Sequence, residues 1–225
     1  MPFTILAKLF NKQTYVTKTD ATSVHNPSKI HEPIFNEQKA LEDLKKVGER
    51  IEENAYKNNI AKVQSIIEND KAVPSSVDKE QIATYIVDAA KEFSIDPCVI
   101  ASIAQQETHF NQNVPTGNGS GVMQLTAITI KDLYQRPNYY DPAVLSILKE
   151  YKTPNDLIKA IRKDAQLNIR VGAAVYKSKL KAAKGCEQSA LRKYNASSRA
   201  ERYSKEVMSR IAQARAVKSD FALTA

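Results

Sequence analysis

The chain has 225 residues, 42% hydrophobic and 26% charged, with 33 Lys and Arg against 25 Asp and Glu for a formal charge of +8. That balance predicts a soluble globular protein with its own core, and no apolar run approaches the ~20 residues a membrane-spanning helix requires, so no transmembrane segment is expected. The positive charge favours an anionic partner, but the basic residues are spread along the chain without a block or a recognisable motif, which argues against nucleic acid.

Residues 1–36 are rich in Thr, Lys, Asn and Pro without a period, and Pro27 and Pro33 interrupt them, so they read as an extended or flexible arm. Residues 1–10 lack a long apolar stretch and a small-residue cleavage signal, so no secretory signal peptide is expected. From Glu37 the apolar positions Leu41, Leu44, Val47, Ile51, Ala55, Val63 and Ile67 recur at helical spacing, with breaks expected at Gly48 and Asn58-Asn59. Residues 37–77 are therefore read as an amphipathic helix and a linker around Pro74, with a protein partner as the sharper reading of that helix.

Residues 78–217 are read as a second, all-helical domain. Lys79–Phe93 carries Ile82, Ile86, Ala89, Ala90 and Phe93 on one face, and Asp96 with Pro97 caps a helix to about Phe110. A polar loop follows, in which Gly117, Gly119 and Gly121 put three of the six glycines into five residues. Met123–Gln135 is expected as a helix, 137–153 as loop with a helical turn near Ala143–Tyr151, and Thr153-Pro154 as the cap of a run, straight or bent, reaching Gly185. Gly172 within that run suggests a helix lying against its backbone. Glu187–Tyr194 and Arg199 to about Val217 complete the set, and no strand pattern is found.

Cys98 and Cys186 have no Cys or His at zinc-ligand spacing, so no metal and no cofactor are expected. Cys98 reads as a buried thiol and Cys186 as a more exposed one, with a disulfide between them left open.

The residue with the clearest chemical signal is Glu107. It lies on the apolar stripe of its helix with Ile100, Ile103, Ala104 and Phe110 at spacings of three and four. Burial disfavours the ionised carboxyl and raises its pKa, which suits a general acid. His109 falls on the opposite helical face and is read as a surface residue.

Four segments in order resemble the lytic transglycosylases of the SLT family, goose-lysozyme-like enzymes that cleave peptidoglycan. They are Gln106-Glu107-Thr108-His109-Phe110-Asn111; Gly121-Val122-Met123-Gln124-Leu125; Asn168-Ile169 with Gly172, Val175 and Tyr176; and Tyr194-Asn195-Ala196 with Tyr203 and Val207 beyond. The chain departs from the family pattern at Thr108 for Ser, Gln112 for Pro and Ser197 for Gly, and its glycine loop is shorter and lacks a Gly-Ala pair.

The resemblance implies a lysozyme-like helical domain over residues 78–217 that cleaves the MurNAc-β-1,4-GlcNAc bond of peptidoglycan glycan strands and closes a 1,6-anhydro ring. Glu107 is the implied catalytic residue, with Thr108, Met123, Gln124, Tyr194 and Asn195 as the implied substrate-binding set. Tyr194 is further expected to hydrogen-bond Glu107, and the site of action is the bacterial cell wall, with the export route or a phage origin left open. Two alternatives stand beside it: a hydrolytic goose-type lysozyme, and a catalytically degenerate wall-binding or assembly module.

Overall fold

The computed structural model describes residues 37–114 and 118–217; the expected arm at 1–36 and Gly117 of the glycine loop lie outside the described residues. The chain divides into two units, Met1–Asp43 and Leu44–Ala225. Of the first, only residues 37–43 are described, and they are helical.

Helix α1 (Glu37–Asn69) is continuous, so the breaks expected at Gly48 and Asn58-Asn59 are absent. One helical Gly costs about 1 kcal/mol and Asn less, which the surrounding Glu, Lys, Ala and Leu offset. Its later turns bury Val63, Ile66 and Ile67, while Leu44, Val47 and Ile51 stay exposed. The Tyr56 hydroxyl donates to Asp88 at 2.7 Å.

Two well-capped helices follow. In α2 (Lys79–Glu92) the Asp78 carboxylate accepts from Gln81 N, and in α3 (Pro97–Thr108) Asp96 accepts from Cys98 N with Pro97 in the first turn. These caps satisfy amides that have no partner inside the helix. Helix α3 buries Ile100, Ile103 and Ala104, the neighbours that placed Glu107 on an apolar stripe.

Helix α4 (Ala127–Gln135) starts four residues later than Met123, because Gln124 adopts a left-handed φ of 49° and Thr126 supplies the cap. A 3₁₀ turn (Pro137–Tyr139) and α5 (Val144–Glu150) fill the loop-rich stretch. The long run expected from Pro154 to Gly185 is two helices, α6 (Pro154–Ile161) and α7 (Ala165–Ala182). Asp164 caps the second by accepting from Leu167 N, and that local bond ends the first despite unbroken apolar spacing. Helices α8 (Glu187–Asn195) and α9 (Ala200–Ala216) close the domain.

Helix α7 forms the centre, packed on α2 and α8, and α9 packs on α3 and α8. Among the described residues there is no strand, so the fold is all-α. Gly172 of α7 is approached by a loop residue and not by a helix: a Cβ there would lie 2.7 Å from the Cβ and Cγ of Met123. Cys98 is buried and Cys186 exposed, and both are free thiols. No helix among the described residues is long and apolar enough to cross a membrane.

Candidate active site

Glu107 occupies the last turn of α3, where His109 and Phe110 both turn left-handed (φ 49° and 62°) and stop the helix. Its side chain is half-buried, and Oε1 accepts a hydrogen bond of 2.7 Å from the Tyr203 hydroxyl. Burial pushes the Glu107 carboxyl above the ordinary carboxylate range, and the Tyr203 bond opposes that shift in part. The carbonyl end of α3 carries partial negative charge and works in the same direction as burial. Among the described residues neither a cation nor a second carboxylate bears on its ionisation.

Tyr203 and not Tyr194 is therefore the partner of Glu107. The Tyr194 hydroxyl donates to the Met123 carbonyl at 3.0 Å, and its ring meets Tyr176 edge-on at 6.4 Å between centroids. Both Tyr194 and Tyr203 titrate well above the usual phenol range, chiefly through burial and then through the charge of Glu107, so both hydroxyls keep their protons as donors. The register of α9 brings Tyr203, one turn into that helix, to the carboxyl, while Tyr194 in the last turn of α8 stops at the neighbouring loop.

That loop, Ser120–Leu125, is clamped from three directions. Asn168 Nδ2 donates to the Ser120 carbonyl at 2.8 Å, and its Oδ1 accepts from Met123 N at 2.8 Å. Gln112 Oε1 accepts from Val122 N at 3.1 Å, and its Nε2 donates to the Ile161 carbonyl at 2.8 Å. The Thr108 hydroxyl donates to the Val122 carbonyl at 2.9 Å. Gly121, at φ +67°, lies so close to Asn168 that a Cβ would come within 2.3 Å of Nδ2, so only glycine fits both the turn and the clamp.

The expected substrate-binding residues thus divide by exposure. Met123 is 0% exposed and packs on Gly172, and Thr108 is 4% exposed with its hydroxyl on backbone. Neither side chain faces an open groove. Gln124 and Asn195 are half-exposed; Gln124 Nε2 donates to the Gly121 carbonyl at 2.9 Å, and Asn195 Oδ1 accepts from the Ser197 hydroxyl. His109, read as a surface residue, has a side chain 42% exposed and is tied to Asp70 (Nδ1 to Oδ2, 2.7 Å) from its left-handed turn.

Sequence reasoning named Asn168 only as part of a motif and marked Gln112 only as a departure from one. The signal for Gln112 was its side chain, whose amide offers both a donor and an acceptor to neighbouring backbone. A model of the transglycosylase SLT domain matches residues 84–215 of the chain. No solved structure matches it.

Proposed function

The chain belongs to the transglycosylase SLT family, and from that premise we propose that it is a peptidoglycan lytic transglycosylase with Glu107 as its single general acid and base. The family makes the domain lysozyme-like and all-α, and indicates lytic transglycosylase-family activity on peptidoglycan at the cell wall. The observation that carries the finer reading is the setting of Glu107: partly dry, raised in pKa, bound by a neutral tyrosine and, among the described residues, without a second acid acting on it.

Protonated Glu107 donates to the leaving glycosidic oxygen of the MurNAc-β-1,4-GlcNAc bond. The carboxylate formed then takes the proton of the muramyl C6 hydroxyl, whose oxygen attacks C1 and closes the 1,6-anhydro ring. Proton and leaving group balance, and Glu107 ends protonated for the next turnover. An intramolecular nucleophile replaces the water that the paired carboxylates of ordinary glycosidases position, so one acid suffices. Tyr203 orients Glu107, and the exposure of Gln124 and Asn195 supports them as sugar contacts. The burial of Thr108 and Met123 supports a shaping role for both, with Tyr194 holding Met123 from the other side. Residues 78–217 form the catalytic domain in this reading. The exposed Leu44, Val47 and Ile51 support a protein partner for α1.

Digestion of purified peptidoglycan, with the muropeptides weighed, tests the proposal. Wild-type protein releases anhydro-muramyl ends, and Glu107→Gln lowers the rate by about 10²–10⁴-fold, the usual range for a general acid. Reducing muramyl ends would identify a hydrolase instead, and a variant as active as wild type would remove Glu107 from the chemistry.

A further inference from the structure

Beside the Tyr203–Glu107 pair lies a groove of about 560 Å³, lined among others by Gln106, Asn195, Arg199, Tyr203 and Glu206. Its charges are unequally satisfied. Glu206 accepts from Arg202 Nε at 2.7 Å and from Gln106 Nε2 at 3.1 Å, and Gln106 Oε1 is taken by Arg210 Nε at 2.8 Å. The acid of the groove is neutralised in place. Arg199 differs: its guanidinium has no ion pair and no hydrogen bond among the described residues.

The backbone of Arg199 is nevertheless held. The Ser197 hydroxyl donates to Asn195 Oδ1 and accepts from Arg199 N at 3.1 Å, Ala196 turns left-handed at φ 49°, and Ala200 N donates to the Ser197 carbonyl at 3.0 Å. A free, planar five-donor cation is thus carried on a braced turn into a groove that shares a wall with the proposed acid. Such a group pairs with a carboxylate in a bidentate fork.

We propose that Arg199 binds a carboxylate of the muramyl substituent and so selects for the acidic part of the strand over its neutral sugars. The inference rests on the lytic transglycosylase reading of the site. The sugar rings and N-acetyl groups of the glycan are uncharged, so the anionic groups of a wall strand are the carboxylates of the muramyl substituent. On intact strands these belong to the stem peptide, and on strands trimmed by an amidase the lactyl carboxylate itself is free. A muramyl residue whose glycosidic oxygen meets Glu107 carries that substituent on the same ring.

The test compares the full-length protein with Arg199→Gln and Arg199→Lys on peptide-bearing strands, on amidase-trimmed strands and on neutral N-acetylglucosamine oligomers. Losing one solvent-accessible, charge-assisted contact raises KM for peptide-bearing strands by about tenfold, with kcat unchanged. Arg199→Lys recovers part of the loss, high salt shrinks it, and binding of the neutral oligomers does not change. A rise confined to trimmed strands assigns the contact to the lactyl carboxylate, a rise confined to intact strands assigns it to the peptide, and a rise on both means that Arg199 takes whichever carboxylate the strand offers. Unchanged KM on both strands, or an equal loss on the neutral oligomers, overturns the inference while leaving the proposed reaction standing. If wild type cleaves nothing, the reaction is what fails; co-sedimentation of Glu107→Gln and Glu107→Gln/Arg199→Gln with the same strands still reads the groove.

Discussion

Glu107 stands between two walls built on different principles. On one side, Ser120–Leu125 is fastened by Asn168, Gln112 and Thr108, whose side chains act as substitute backbone partners for an irregular loop. On the other, Tyr203 reaches Glu107 from a regular helix, whose Arg202 bonds Glu206 and whose exposed N-cap, Arg199, lines the neighbouring groove. A loop without its own ladder of hydrogen bonds has to be held by side chains, so its residues serve stability first. A helix holds itself, which leaves its side chains free for chemistry and recognition. Substitutions on the first wall should therefore lower folding and activity together, and substitutions on the second should separate them.

The largest expected effect falls on the clamp. Asn168 is 0% exposed, and Asn168→Ala leaves the Met123 amide without a partner in the interior and the Ser120 carbonyl with only its bond from Leu125 N. An orphaned buried amide costs about 1–3 kcal/mol and the lost bond to Ser120 about 1 kcal/mol more, so a loss of about 2–4 kcal/mol is expected, with activity falling in parallel. Thermal melts and peptidoglycan turnover on one preparation check it. A variant that melts within about 2 °C of wild type would show that the loop is held by something other than this clamp.

Tyr203→Phe sharpens the contrast from the second wall. The ring stays buried and one hydroxyl is lost, so the stability change should remain under about 1.5 kcal/mol, while loss of orientation at Glu107 lowers kcat by about tenfold. The Tyr203 bond opposes the effect of burial on Glu107, so removing it raises the carboxyl further. The acid form then persists to higher pH, and the alkaline limb of the kcat/KM profile moves up. A profile left in place, or moved down, would show that Tyr203 does not govern the ionisation of Glu107.

The two walls were also unequally legible in the sequence. Caps are local, so Asp96-Pro97 and Thr153-Pro154 marked helix starts that the fold has, and apolar spacing alone put Glu107 at the edge of the core. The same spacing ran through residues 162–164 and concealed the break that Asp164 makes. Which tyrosine meets Glu107 depends on how α8 and α9 pack on α3, and neither spacing nor motif carries that; Tyr194 was the nearer guess and Tyr203 the partner. Helical-face reasoning placed His109 at the surface, where its side chain is 42% exposed, but could not show its bond to Asp70. Gln112 shows the converse, a departure from the family pattern whose side chain takes up the Val122 amide of the loop and the Ile161 carbonyl of α6.

Glu107 itself gives the smallest effect on stability and the sharpest separation of stability from activity. Its carboxyl titrates higher in the folded chain than in the unfolded one, so the folded state holds that proton more tightly. The stability this contributes is fully present below the unfolded carboxyl pKa of about 4.3, and is lost as pH rises through the folded value. Gln has the same shape and cannot ionise, so Glu107→Gln escapes that loss. The two proteins should melt together near pH 4, and the inactive variant should melt at the higher temperature at pH 8, as thermal melts at the two pH values would read. Such a gain marks a group kept in an unfavourable setting for its chemistry. A difference independent of pH, or a wild type more stable at pH 8, would mean that the carboxylate is as well solvated in the fold as outside it, and the case for its role as proton donor would go with it.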